Sequence, residues 1–229
     1  NLSSGVSIAS SWDFGDGVGV SVDQNPMYTY SGAGVYDVSL IVTGADGCSR
    51  SKVKTTEVFA IPDVDFSVSQ FCEGEQTSFN DLSFIYNSIV ESFKWDFAGE
   101  GYSNSKNPTH LFSSYGDFNV SLLITSDRGC EGLLSKKITI DKIPSANFKV
   151  DTDVCLGDEV KVLYLSDNND ADVISWNYNF GDGSSSADRD PKHTYSAINS
   201  FDISLEVFSA KGCKNDTIMP AIIKVHNFP

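Results

Sequence analysis

Trp12-Asp13-Phe14 returns 83 residues later as Trp95-Asp96-Phe97, and after a further 83 as Tyr178-Asn179-Phe180. Asn25-Pro26 recurs as Asn107-Pro108 and Asp190-Pro191, and Gly47-Cys48 as Gly129-Cys130 and Gly212-Cys213. Tyr30 matches Phe112 and Tyr195; Tyr36 matches Phe118 and Phe201. Ile61-Pro62 and Ile143-Pro144 mark the joints. Landmarks that hold register over three copies restrict the chain to a tandem array of similar small units. The expected boundaries are 1–61, 62–143 and 144–229. The first copy lacks the segment that carries Cys72 in the second, so the counterpart of Cys72 is expected upstream of Asn1, as in a fragment of a longer array.

Within each unit the apolar period is two. In Phe118-Asn119-Val120-Ser121-Leu122 the apolar residues share one face, and residues 36–43 and 201–208 alternate in the same way. Short strands between Gly, Asn, Asp and Ser turns predict an all-β fold of antiparallel sandwiches, with no amphipathic helix. On such a strand Trp12 and Phe14 point to the core while Asp13 points away. Gly15-Asp16-Gly17 then reads as a tight turn, glycine supplying positive φ and Asp16 binding local amides. Trp95, Phe97, Tyr178 and Phe180 repeat the core pair, and Asp182 repeats Asp16. The second copy reads Ala98-Gly99-Glu100-Gly101, which displaces the acid. A ligand loop would suffer from that change and a turn would tolerate it, so the turn is expected.

These residues carry a resemblance. Trp-Asp-Phe-Gly-Asp-Gly, then Asn-Pro-x-x-x-Tyr, then Gly-x-Tyr-x-Val-x-Leu-x-Val is similar to the PKD (polycystic kidney disease) domain, which implies Ig-like β-sandwiches. The match covers copies two and three and most of copy one; copy three departs at Asn177-Tyr178-Asn179 and just before Phe201, where no glycine matches Gly34 and Gly116. The added Cys-x-Gly and Gly-Cys pairs resemble PKD repeats of large Bacteroidetes gliding and adhesion proteins exported by the type IX system. The resemblance implies an extracellular, outer-membrane-attached location. Some PKD domains bind calcium through acids before the Trp strand and in the last hairpin. Asp167, Asp170 and Asp172 are the corresponding set in copy three, but Lys211 stands in its hairpin; copy two has Asp127 there and only Asn87-Ser88 in the other loop. Solvated acidic loops are therefore expected, with calcium as the alternative and no other cofactor.

Cys72 and Cys130 are 58 residues apart, as are Cys155 and Cys213. Equal spacing suggests one disulfide per repeat, Cys72–Cys130 and Cys155–Cys213, with the partner of Cys48 upstream. A loop of that size would add about 4 kcal/mol on chain-entropy grounds, useful to small cores in an oxidising setting. Against this pairing, plain Ig wiring puts the two turns at opposite ends of the sandwich, out of disulfide reach. Either the first strand is rearranged or the thiols are free. An inter-repeat alternative, Cys48–Cys72 and Cys130–Cys155, leaves Cys213 over.

The chain has 31 acidic and 16 basic residues, net −15, which disfavours nucleic acid and anionic lipid as partners. No apolar run is long enough to span a bilayer, so direct membrane insertion is not expected. His110 and His193 share a repeat position filled by Tyr28 in copy one, which reads as packing. No nucleophile, phosphate or metalloprotease motif occurs, so no enzyme is expected. Asn119 and Asn215 open Asn-x-Ser/Thr sequons, and Asp216-Thr217-Ile218 resembles a Bacteroidetes O-glycosylation signal, with Thr217 as acceptor. The expected function is a semi-rigid stalk of a cell-surface adhesin for gliding or attachment, its partners neighbouring repeats of the same chain. The alternative is a module that binds polysaccharide or cell-surface protein, in an adhesin or a secreted hydrolase, through exposed rings at Phe84, Tyr86, Tyr102 and Tyr164.

Overall fold

The computed structural model describes residues 7–165 and 172–227, and every regular element among them is a β-strand. In residues 62–143, β5 (Phe66–Ser69), β6 (Thr77–Asp81) and β9 (Thr109–His110) form one sheet in the order β5-β6-β9. Facing it, β7 (Val90–Phe97), β8 (Tyr102–Ser103), β10 (Gly116–Ser126) and β11 (Glu131–Ile140) pair in the order β11-β10-β7-β8. The period-two pattern sets the inner face. Val120, Leu122 and Ile124 are fully buried on β10, with Phe97, Trp95 and Phe93 as their cross-strand partners on β7. Phe66 and Phe79 pack against Trp95 from the opposite sheet, ring centroids 5.0 and 5.4 Å away.

The same sandwich recurs in residues 144–227, with one addition. β12 (Phe148–Val150), β14 (Glu159–Tyr164) and β17 (Lys192–Thr194) form the smaller sheet. β15 (Val173–Asn179), β16 (Ser185–Ser186), β18 (Ser200–Ser209) and β19 (Lys214–His226) form the larger. The first strand divides: after β12 the chain crosses over, and β13 (Asp153–Cys155) runs parallel to β19, Cys155 opposite His226. Copy two makes the same crossover as a single bridge, Cys72 parallel to Asp141, just past the end of β11.

The first copy contributes one sheet, β2-β1-β3-β4, from β1 (Ser7–Asp13), β2 (Val20–Ser21), β3 (Gly34–Gly44) and β4 (Ser49–Val58). Phe14 is its one buried apolar side chain among the described residues, since no second sheet faces it there. Elsewhere the repeated landmarks have defined tasks. Trp12 and Trp95 donate their indole N–H to Asp23 O (3.0 Å) and Ser105 O (2.9 Å), and Tyr178 Oη donates to Arg189 O (3.1 Å) at the same place. The Asn-Pro pair fastens the segment leading into β9 or β17 to the neighbouring strand of the smaller sheet. Asn107 Oδ1 and Pro108 O accept from the amides of Asp81 and Phe79, while Asp190 Oδ1 and Pro191 O accept from Tyr164 and Val162, all at 2.9 Å.

The turn after the aromatic pair is set by backbone approach. Gly181 has φ +80°, and a Cβ there would lie 2.5 Å from Asp202 O on β18; Gly183 has φ +95° with open space around it. Copy two carries Ala98 at φ 58° in the position of Gly181. Gly183→Ala is therefore expected to cost only the left-handed penalty, about 1–2 kcal/mol. Gly181→Ala must in addition displace β18 and should cost more. Chemical denaturation of both variants checks the order.

Candidate functional site: the joint between repeats

Each last hairpin is built in the same way. The amides of Gly44, Ser126 and Ser209 donate to the carbonyls of Cys48, Cys130 and Cys213 at 2.9, 2.9 and 2.8 Å. Gly47, Gly129 and Gly212 close the turns at positive φ, donating back to Gly44, Ser126 and Ser209. Ser126 and Ser209, both buried, also accept from Cys130 and Cys213 through Oγ, at 3.0 and 3.1 Å. The prolines of the joints pack onto this end. Pro144 O accepts from Asn215 Nδ2 at 2.9 Å, and a Cβ on Gly132, the equivalent position, would lie 2.4 Å from Pro62 O. Across the first joint, Arg128 sits 5.0 Å over the ring of Phe59.

The other conserved-register cysteine lies at the far end of its own sandwich. Glu73 N donates to Asp141 O (2.8 Å) and Glu75 N to Cys72 O (3.1 Å). Leu156 N donates to His226 O (2.8 Å) and Asp158 N to Cys155 O (3.0 Å). Two turns of one design thus present Cys72 and Cys155 at the ends of β11 and β19.

This geometry overturns the within-repeat pairing. Cys155 lies beside His226 at the end of β19, while Cys213 precedes Lys214 at its start. The thirteen residues of β19 put them roughly 40 Å apart, far beyond the Cα span of a disulfide. The same argument separates Cys72 from Cys130 along β11. Instead Cys72 bridges to Cys213 in the next repeat, Cα atoms 5.5 Å apart across 141 residues of sequence. Cys48, Cys130 and Cys155 are thiols, so Cys48–Cys72 and Cys130–Cys155 do not form either. Nothing in the spacing singled out Asn215 or Asp141; the sequon gave Asn215 a different reading.

The acidic turns are internally satisfied. Asp16 accepts from the amides of Val18 and Gly19 at 3.1 and 2.7 Å and from the hydroxyl of Tyr28. That bond pushes the Tyr28 phenol up to about 12 and holds Asp16 below the usual carboxylate range. In copy three His193 takes the place of Tyr28, its Nε2 2.7 Å from Asp182 Oδ2 and 3.2 Å from Ser184 Oγ. A Ser-His-acid relay needs the two ring nitrogens to serve different partners, and here one nitrogen faces both. Tyr28, His110 and His193 all stack on the preceding motif phenylalanine, with centroids 4.1, 4.3 and 4.3 Å apart. In copy two the displaced Glu100 accepts from the amide and hydroxyl of Ser113, both at 2.8 Å. His110 is then left with a buried, unpartnered Nε2, and burial lowers its pKa.

Of the calcium set, Asp167 and Asp170 lie outside the described residues. Asp172 is exposed, and its backbone carbonyl accepts from Ala210 N at 2.9 Å. Asp127 is occupied by Ser88 Oγ and, at 3.3 Å, by Ile89 N. No group of three or more His, Cys, Asp or Glu suited to a metal is found among the described residues. Phe84, Tyr86 and Tyr102 are exposed, whereas Tyr164 is 4% exposed and belongs to the core, donating from Oη to Ser145 O at 2.8 Å. Thr217 sits within β19 opposite Leu205, partly covered. No helix among the described residues is long and apolar enough to cross a membrane.

A model of the PKD domain matches residues 1–60, 59–140 and 141–222. The pre-pro-metalloprotease PrtV of Vibrio cholerae serotype O1 (strain M66-2) is 27% identical over 132 residues, covering 56% of this chain. The match spans only 14% of that relative's length. Among solved structures, the PKD1 domain of Vibrio anguillarum Epp is 21% identical with a TM-score of 0.35, covering 37% of this chain and 99% of that one. The PKD1 domain of the Vibrio cholerae metalloprotease PrtV is 23% identical with a TM-score of 0.33, at the same coverages.

The Asp182 turn yields a pH dependence. Burial tends to raise its pKa, but hydrogen bonds from Ser184 and His193 outweigh this and hold it below the ordinary 3.8. A depressed acid contributes stability that is full above the unfolded value and is lost as pH falls through the folded one. Asp182→Asn should therefore destabilise the third repeat at pH 7 by about 1–2 kcal/mol. Thermal melts should show the gap from the unaltered protein closing below pH 3.8.

Proposed function

Because the chain belongs to the PKD domain family, matched three times in succession, we propose that it is a non-catalytic repeat region of an extracellular protein. Its role in this reading is a semi-rigid stalk extending the adhesive part of a large cell-surface adhesin, used in gliding or attachment. The proposed units are 1–61, 62–143 and 144–229, with neighbouring repeats as their partners. The observation that carries the reading is the bridge from Cys72 to Cys213. A spacer must resist bending at its joints, and a covalent tie between consecutive units, beside a joint proline, restricts that motion. A disulfide also belongs in an oxidising compartment, in keeping with secretion and outer-membrane attachment through a type IX route.

Phe84, Tyr86 and Tyr102 favour a second reading, since large rings left 66, 64 and 69% exposed offer contact surface to a sugar or protein. In that reading the repeats bind polysaccharide or cell-surface protein, as part of an adhesin or beside a secreted hydrolase. Calcium at the acidic loops, including Asp167, Asp170 and Asp172, would belong to either reading as a stiffening device.

A polysaccharide array and a cell-surface binding assay, run on the folded chain with calcium and with chelator, separate the readings. The stalk reading expects no saturable binding under either condition. Specific binding that Tyr86→Ala or Tyr102→Ala reduces tenfold or more would replace it with the second.

A further inference from the structure

We propose that the Cys72–Cys213 bridge is one rung of a repeating covalent ladder, and that Cys155 is the open half of the next rung, taking the hairpin cysteine of a further unit of this same repeat. Three observations converge on this. The Gly-Cys hairpin occurs three times with the same backbone hydrogen bonds, so Cys48, Cys130 and Cys213 are presented alike. The first-strand turn occurs twice with the same parallel register, Cys72 beside Asp141 and Cys155 beside His226. One hairpin and one turn are already joined, with Cα atoms 5.5 Å apart.

The surface around Cys155 is therefore the surface that Cys72 uses, one unit further on. No cysteine of its own chain can fill it. Cys213 is bonded to Cys72 and lies at the opposite end of β19, and Cys130 belongs to the hairpin of the preceding sandwich. Asp141 and His226 hold the same place beside the first-strand cysteine, so a unit that follows the third would set its hairpin against Cys155 as the third sets Cys213 against Cys72. By the same register Cys48 and Cys130 are hairpin halves, each suited to the first-strand cysteine of a unit preceding its own. Closure is an ordinary oxidation. Two thiols give up two protons and two electrons to a disulfide oxidant such as oxidised glutathione, which leaves as two glutathione thiols.

The test uses the full chain and the full chain extended after Pro229 by a second copy of residues 145–229, in which Lys214→Arg gives the hairpin cysteine peptide its own mass and Cys155→Ser removes the copy's own first-strand thiol. Both are equilibrated in reduced and oxidised glutathione, alkylated, digested without reduction and mapped by mass spectrometry. The expected links are Cys72–Cys213 in both chains and, in the extended chain, Cys155 to the hairpin cysteine of the added copy. Cys155→Ser in the host chain should abolish the second link and leave the first, which also reports that the host units remain folded. If the added copy does not fold, the unextended chain at high concentration supplies the same readout. There Cys155 of one molecule should couple to the exposed Cys48 of another, and Cys155→Ser should reduce that product to background. A Cys155–Cys213 or Cys72–Cys130 peptide overturns the ladder. So does a Cys155 that stays fully alkylatable in both formats while Cys72–Cys213 closes.

Discussion

A β-strand of ten to thirteen residues holds its ends roughly 30–40 Å apart, and the arrangement of the joint follows from that separation. The last strand of each sandwich starts in the Gly-Cys hairpin and ends beside the crossed-over first strand. The two cysteines of one unit are thereby sent to opposite poles. At the joint, the far pole of one unit meets the near pole of the next, and Cys72 and Cys213 come within bonding range. A 141-residue separation corresponds to about 5 kcal/mol of chain entropy removed from the unfolded state. The larger consequence is mechanical, since the tie fixes how consecutive sandwiches sit. Asn215 reinforces it by donating to Pro144 O at 2.9 Å.

The repeats keep their geometry while exchanging residues, which shows which features each position needs. The core-aromatic position requires a large ring with a donor at its tip: Trp95 and Tyr178 are both fully buried and both reach a backbone carbonyl in the following loop. The Tyr28, His110 and His193 position requires a flat ring to stack on the motif phenylalanine, and its polar atom follows the turn acid when one is in reach. Where Glu100 moves one place along, it finds Ser113 instead. Such exchange suits a scaffold, in which many equivalents satisfy one packing requirement.

The strand alternation, the inward direction of Trp95 and Phe97 and the turn at Gly181-Asp182-Gly183 were legible because period-two patterning and glycine chemistry are local properties. The cysteine pairing was not. In a chain of fixed period, a pairing within one unit and a pairing between neighbouring units are equally regular along the sequence, so spacing cannot choose between them. The choice depends on the first-strand crossover, a tertiary event with no local signature beyond three residues, Asp153–Cys155. Tyr164 was misjudged for a related reason. An aromatic at the end of an alternating strand carries no label for inner or outer face until the register with β12 is set. Phe84 and Tyr86 lie between β6 and β7, Phe84 in a single antiparallel bridge to Asp63, and both rings are left in solvent.

The claim that consecutive units are locked end to end is tested most directly by small-angle X-ray scattering of the oxidised chain against Cys72→Ser. The account expects the oxidised chain to fit one fixed arrangement of the second and third sandwiches. Loss of the bridge should broaden the distance distribution while both sandwiches stay folded by circular dichroism. Superimposable scattering curves from the two proteins would contradict it, because the joint would then owe its geometry to something other than the bridge.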